Sequence, residues 1–329
     1  MGTVFRISVA GVSETVALSA IDAALDEIAR LEFILSEWRA DSEISRINAQ
    51  AGREPVTVGP ETLAVIQAGL QVSQWSDGAF DMSWAALRDL FDFRPGRGRA
   101  APAAEIAARL PLVHWQDVIV DAEASTVFLR REGMALGTGG IAKGYALDRA
   151  GSILRELGVD NYMMFGGGQV QLRGQRGDRP WRVGIQHPRA PQDYFGALES
   201  SGGSISTSGD YEHVFVDDSG KRWHHILDLR TGEPASASQS VTILSEQGIY
   251  ADAISTAVFI MGPERGLEML RGLPIRVQAV AVRADGRLYA TESLSSSLRL
   301  KPGVELGAAL PSPQALRTQA ASSGSPNSN

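Results

Sequence analysis

Four glycines and a lysine stand within Gly137-Thr138-Gly139-Gly140-Ile141-Ala142-Lys143-Gly144, directly ahead of Tyr145, Leu147 and Ala150 at helical spacing. The pattern predicts a tight turn and a helix over 141–157 that Gly158 stops. The apolar run Tyr162-Met163-Met164-Phe165 follows and ends in Gly166-Gly167-Gly168. Turn, helix and short strand in immediate succession require a fold that mixes helices with strands.

The rest of the chain extends the mixture. Ile21, Leu25, Ile28, Leu31 and Leu35 recur at steps of three and four and predict an amphipathic helix over 19–35. Pro60 suits the first turn of another helix, with Leu63, Ile66 and Leu70 as its apolar stripe. Residues 37–48 are polar and turn-like. Residues 94–105 combine Pro, Gly, Arg and Ala without periodicity and read as a surface loop or insertion, a candidate divider of two lobes. Strands are expected at 181–186 and 240–245, and a hairpin of 275–282 with 287–291 turning at Asp285-Gly286. One domain over 1–310 is expected, followed by a disordered tail, 311–329, rich in Ser, Pro, Asn and Gln.

Composition removes several functions. Lys and Arg total 31 against 38 Asp and Glu in 329 residues, a net charge of −7, and no basic run offers a footprint for nucleic acid. No stretch approaches the roughly 20 apolar residues of a membrane span. With no cysteine there is no thiolate nucleophile, thiolate metal site or disulfide. Residues 1–11 lack a basic segment followed by an apolar one, so no secretory signal is expected at this start.

Five segments carry chemistry. The turn at 137–144 has the parts of a phosphate cradle, since glycine N–H groups, a helix N-terminus and a lysine all favour an anion; a tight strand-to-helix turn explains it equally well. A Walker A loop is excluded, because Gly144 follows the lysine where a hydroxyl should stand. Gly166-Gly167-Gly168 permits close approach of a ligand, or is a hairpin corner. Ser204 to Tyr211 is dense in hydroxyls and by itself reads as a loop. In His224-His225-Ile226-Leu227-Asp228-Leu229-Arg230-Thr231-Gly232, adjacent strand positions face opposite ways, so one histidine at most faces a pocket. Asp252 and Thr256 are four apart, about 5–6 Å between Cβ atoms on one helical face. A carboxylate and a hydroxyl form a hard-ligand set suited to Mg²⁺, although Asp252 also suits a helix first turn.

In this order the segments Gly-Gly-Ile-Ala-Lys-Gly-Tyr-Ala, Ser-Thr-Ser-Gly-Asp-Tyr, His-Ile-Leu-Asp-Leu-Arg-Thr-Gly and Ala-Asp-Ala-Ile-Ser-Thr-Ala resemble the ApbE family of FAD:protein FMN transferases. Met1-Gly2-Thr3, Glu37-Trp38-Arg39, 42–48 and Gly78-Ala79-Phe80-Asp81 extend the resemblance over most of the chain. It implies an α+β, T-fold-like domain of two lobes with FAD in the cleft between them. The implied activity is Mg²⁺-dependent transfer of FMN from FAD to a threonine of an acceptor flavoprotein, such as a respiratory or electron-transfer subunit, with AMP released.

Carried over residue by residue, the resemblance makes Asp252, Thr256 and the Ala142 carbonyl metal ligands. Lys143, Gly139 and Gly140 become pyrophosphate contacts, and Gly167, Gly168 and Gln169 flavin neighbours. His225 is implied as the base for the acceptor hydroxyl, with Asp228, Ser206 and Thr207 lining the same pocket. Met1 is placed near the flavin, and Arg39, Ser42 and Glu43 at the adenosine. Three positions depart from the family pattern: Gly137-Thr138 replaces the usual Asp-Leu, Gln169 replaces a common acid or Asn, and Leu229 a frequent proline. The resemblance also implies a periplasmic or cell-envelope setting, whereas the start of the chain points to the cytoplasm. An FAD pyrophosphatase and a non-catalytic FAD binder are the competing functions. Asp285 to Thr291 is similar to acceptor motifs of the Asp-Gly-x-x-x-Ala-Thr kind, and a plain hairpin accounts for it without chemistry.

Overall fold

The computed structural model describes residues 2–294 and 296–310. Met1 and the expected tail, 311–329, lie outside the described residues.

An eight-stranded sheet forms the centre. In chain order the strands needed here are β1 (Phe5–Ala10), β2 (Asn161–Gly166), β3 (Gln169–Arg173), β4 (Arg179–His187), β5 (Ala190–Ser200), β6 (Gly202–Gly209), β7 (Ser238–Ser245), β8 (Val277–Arg283), β9 (Leu288–Thr291), β10 (Leu298–Leu300) and β11 (Leu306–Leu310). The central order is β1-β2-β3-β6-β7-β8-β9-β11, antiparallel except for the last pair. β10, β5 and β4 belong to a second, four-stranded sheet. Helices α1 (Glu14–Leu35), α2 (Glu43–Ala49), α3 (Pro60–Trp75), α4 (Ala103–Arg109), α5 (Ala142–Glu156), α6 (Gly248–Met261) and α7 (Pro263–Arg271) complete the α+β arrangement.

Strand alternation assigns the two faces. On β3 and β6, Val170, Leu172 and Ile205 meet Trp181, Ile185, Phe195 and Leu198 of the second sheet. Their opposite faces present Gln169, Gln171, Ser204, Ser206 and Ser208 to α5 and α6. The segment expected as a loop at 204–211 is therefore largely a central strand. Its helix side is polar because it is hydrogen-bonded to other polar groups, and that removes the apolar alternation a strand ordinarily shows.

The expected helices form with shifted details. α1 starts at Ser13, whose hydroxyl accepts the Val16 N–H. Its buried face is Ala20, Ala24, Ile28, Leu31 and Leu35, with Leu25 exposed, because the two alanines let α1 pack closely on α5. The polar stretch 37–48 contains α2, capped by Ser42 and anchored by buried Ile44 and Ile47. The hairpin at Asp285-Gly286 forms as expected, with Gly286 at φ 86°. Residues 94–105 are more than a loop: Arg99–Ala100 pairs with Phe91–Asp92, and buried Ala101 joins Ile106, Trp223 and Leu227 in a small apolar cluster. That cluster pins the segment to the ribbon that leads into His224 and His225.

Candidate active site

The site begins where two helices touch. A Cβ built on Gly144 of α5 would lie 2.0 Å from the Gly248 carbonyl of α6, so only glycine allows this approach. Across the contact Asp252, 3 % exposed, accepts the Lys143 and Gly144 N–H groups, the latter at 3.0 Å, and Gln169 Nε2 at 2.8 Å. Lys143 Nζ stands 3.8 Å from Asp252 and donates to the Gly139 carbonyl. Burial pushes the Asp252 carboxyl above its ordinary value, while Lys143 and the backbone donors oppose that shift.

One turn along α6, the Thr256 hydroxyl lies 3.2 Å from Ser208 Oγ on β6, and a Cβ on Gly140 would lie 3.7 Å from it. Ala142 opens α5 beside Lys143. Among the described residues no group of three or more His, Asp or Glu is gathered to hold a metal. A cation here would rest on one carboxylate with hydroxyl and carbonyl oxygens, the hard-oxygen set that Mg²⁺ accepts. A buried carboxylate paired with Lys143 at 3.8 Å fits such a guest.

The glycine-rich turn is held from below. Buried Glu37 accepts the Thr138 and Gly139 N–H groups, and the Thr138 hydroxyl donates to the Leu35 carbonyl at 2.7 Å. Glu37 is pushed up by burial and partly restored by these donors and by Arg88. Much of the expected cradle is thus spent on carboxylates, Glu37 at 138–139 and Asp252 at 143–144. What remains for an anion is the Lys143 ammonium and the open space beside Gly139. Gly167 and Gly168, at φ 54° and 83°, turn the β2–β3 hairpin, and a Cβ on Gly167 would lie 3.2 Å from Lys143 Cδ.

The two histidines divide as strand geometry requires. His224 is buried, edge-on to Phe259, with Nε2 3.0 Å from the Ala235 carbonyl. His225 keeps an open edge to solvent, with Nδ1 3.1 Å from the Glu212 carbonyl and its ring 5.1 Å from that of His213. Crowding by protein on its other sides, then His213 and the nearby charge of Lys143, pushes its pKa down to about 3. A carbonyl only accepts, so Nδ1 carries the proton and Nε2 keeps its lone pair.

The ApbE family profile matches residues 1–281. The chain belongs to the ApbE family. It is 40% identical to an FAD:protein FMN transferase of Klebsiella pneumoniae (strain 342) over 74% of this chain and 76% of that one. It is 32% identical to one of Treponema pallidum (strain Nichols), over 85% and 82%. Among solved structures, the ApbE protein of Thermotoga maritima superposes with a TM-score of 0.81 at 32% identity, covering 90% of this chain and 96% of that one. The flavin transferase ApbE of Vibrio cholerae gives 0.76 at 30%, with the same coverage.

The departures from the ApbE pattern acquire physical reasons. A Cβ at Gly137 would lie 2.7 Å from Trp84 Nε1, so the indole leaves no room there for the acid that the resemblance led us to expect, and Glu37 brings a carboxylate to the same turn from 101 residues away. Gln169 is committed to Asp252. For Leu229 in place of proline the structure offers no reason.

Of the other expected site residues, Ser206 reaches the Asp252 turn through Ser255, and Thr207, Asp228, Arg39, Ser42 and Glu43 do not. Ser206 faces α6 and bonds Ser255 at 3.0 Å, whereas Thr207 points to the other face of β6 and bonds Thr242 at 2.9 Å, so the two do not line one pocket. Asp228 is clasped by Arg230 at 2.9 and 2.6 Å in a turn. Ser42 caps α2, Glu43 accepts the Gly59 N–H at 2.9 Å, and Arg39 pairs with Asp41 and lies over Phe33. Thr291 is buried, its hydroxyl accepting the Ala279 N–H, which favours the plain hairpin over an acceptor role. Sequence reasoning missed Glu37, His213, Ser208 and Ser255 as site neighbours. The spacing of Ser206 and Ser208 on one strand was the available signal for the serines.

Proposed function

We infer that this chain transfers FMN from FAD to a threonine hydroxyl of a separate acceptor flavoprotein and releases AMP. The observation that supports this most is the meeting of Lys143, Gln169 and the Asp252–Thr256 turn, brought together from three segments distant in sequence. The threonine oxygen attacks the FMN-side phosphorus, the bond from that phosphorus to the oxygen bridging it to AMP breaks, and AMP departs with that oxygen. The hydroxyl proton passes to His225 Nε2, the lone pair left free by the Glu212 contact. Lys143 holds the pyrophosphate by charge, and the space beside Gly139 lets a phosphate approach the backbone. Mg²⁺ on Asp252, Thr256 and the Ala142 carbonyl would neutralise charge on the phosphates.

The low pKa of His225 belongs to the protein without substrate. A pyrophosphate beside the ring raises it, since a nearby anion favours the charged imidazolium. AMP release from FAD tests the reading: it should require Mg²⁺ and vanish in Asp252→Ala with the fold retained. His225→Ala should lose about 10²–10⁴-fold in transfer rate with FAD affinity largely kept. Undiminished AMP release by Asp252→Ala would defeat the assignment.

A further inference from the structure

Gly144 and Gly248, the two glycines at the helix contact, are each followed four residues later by an aspartate, Asp148 and Asp252. The pairing is reciprocal. Asp252 of α6 receives the N–H groups that open α5, and Asp148 of α5 receives those that open α6, from Gly248 at 2.7 Å and Ile249 at 2.9 Å. β3 serves both alike: Gln169 donates to Asp252 at 2.8 Å, and Gln171, two residues on and on the same face, donates to Asp148 at 2.7 Å. Ser204 Oγ completes the Asp148 shell at 3.5 Å.

Resting on the transfer reading above, we propose that Asp148 is a positioning residue for that reaction, holding α6 by its first turn so that Asp252 and Thr256 face Lys143. Asp148 makes no hydrogen bond or ion pair with Asp252, Thr256 or Lys143, so it acts through the helix. Its carboxylate accepts from four donors and gives none, a role that the isosteric amide cannot fill, because an Asn Nδ2 would oppose one of those donors. With that grip lost, the first turn of α6 has N–H groups lacking an acceptor at a packed crossing, and the helix shifts relative to α5. A misplacement near 1 Å is enough to cost on the order of 10²-fold in rate.

Two measurements test this, and one needs no variant. In the wild-type protein, native-state amide exchange should show Gly144, Gly248 and Ile249 opening together with matched protection, as members of one reciprocal clasp. Unmatched protection overturns the proposal even if every Asp148 variant fails to fold. In folded Asp148→Asn, kcat for AMP release should fall about 10- to 100-fold with the KM for FAD within about threefold, the signature of misplaced reacting groups. Wild-type kcat, or a change in KM alone, overturns it. If the wild-type protein turns over no FAD, the transfer reading itself has failed. Exchange at Lys143 and Gly144 in Asp148→Asn then decides the clasp: acceleration of at least tenfold supports it, and no change overturns it.

Discussion

His225 owes its tautomer to a single contact and its neutral state to its surroundings. The Glu212 carbonyl fixes the proton on Nδ1, and the lowered pKa keeps the ring neutral over the range where a free histidine titrates. Nitrogen NMR of labelled histidine should therefore show His225 as the Nδ1–H tautomer, unchanged from pH 8 down to about pH 4, with its pKa rising once FAD is bound. Titration near 6.5 in the free protein would contradict this. The sign for stability follows: a histidine kept neutral binds fewer protons than in the unfolded chain, so its contribution is present above pH 6.5 and is lost as pH falls toward 3. Gly137→Asp drives a side chain into Trp84 and should cost about 1–3 kcal/mol in chemical denaturation. Asp252 and Thr256 were legible because their relation is local, four residues on one helix. Glu37 and Asp148 were not, since the N–H groups they hold lie about a hundred residues away and nothing in an isolated Glu or Asp announces such a partner.

At the scale of elements, what was legible depended on whether the buried face is apolar. α3 and the β8–β9 hairpin declared themselves by stripe, proline and turn residues. β6 did not, because Ser204, Ser206 and Ser208 form its helix-facing side, and two of the five buried positions of α1 were hidden because alanine contributes little to an apolar stripe. The α5–α6 contact is the element on which the site depends. Gly144→Ala places a methyl group against the Gly248 carbonyl, so a loss of about 3 kcal/mol is expected. Thermal or denaturant unfolding checks it, and a variant of wild-type stability would show that the helices do not approach this closely.

For the whole molecule, a net charge of −7 opposes an anionic dinucleotide, so binding must rest on local cations. FAD at about 100 times its Kd should stabilise the fold by about 2.7 kcal/mol, and the Mg²⁺-dependent part of that gain should disappear with EDTA or in Asp252→Ala. A thermal shift independent of Mg²⁺ in both proteins would argue against a cation at Asp252. The α+β class was legible from the alternation of helix and strand signals, and the family from its ordered motifs. The way distant carboxylates clasp the glycine turn was not, because it exists only after the sheet has brought those segments together. Transfer of FMN to protein is read out by mass spectrometry of a threonine-containing acceptor domain incubated with this protein, FAD and Mg²⁺, with AMP followed in parallel. A mass gain of one FMN on the acceptor with matching AMP is the predicted result; an unmodified acceptor, whether AMP accumulates or FAD stays intact, would contradict it.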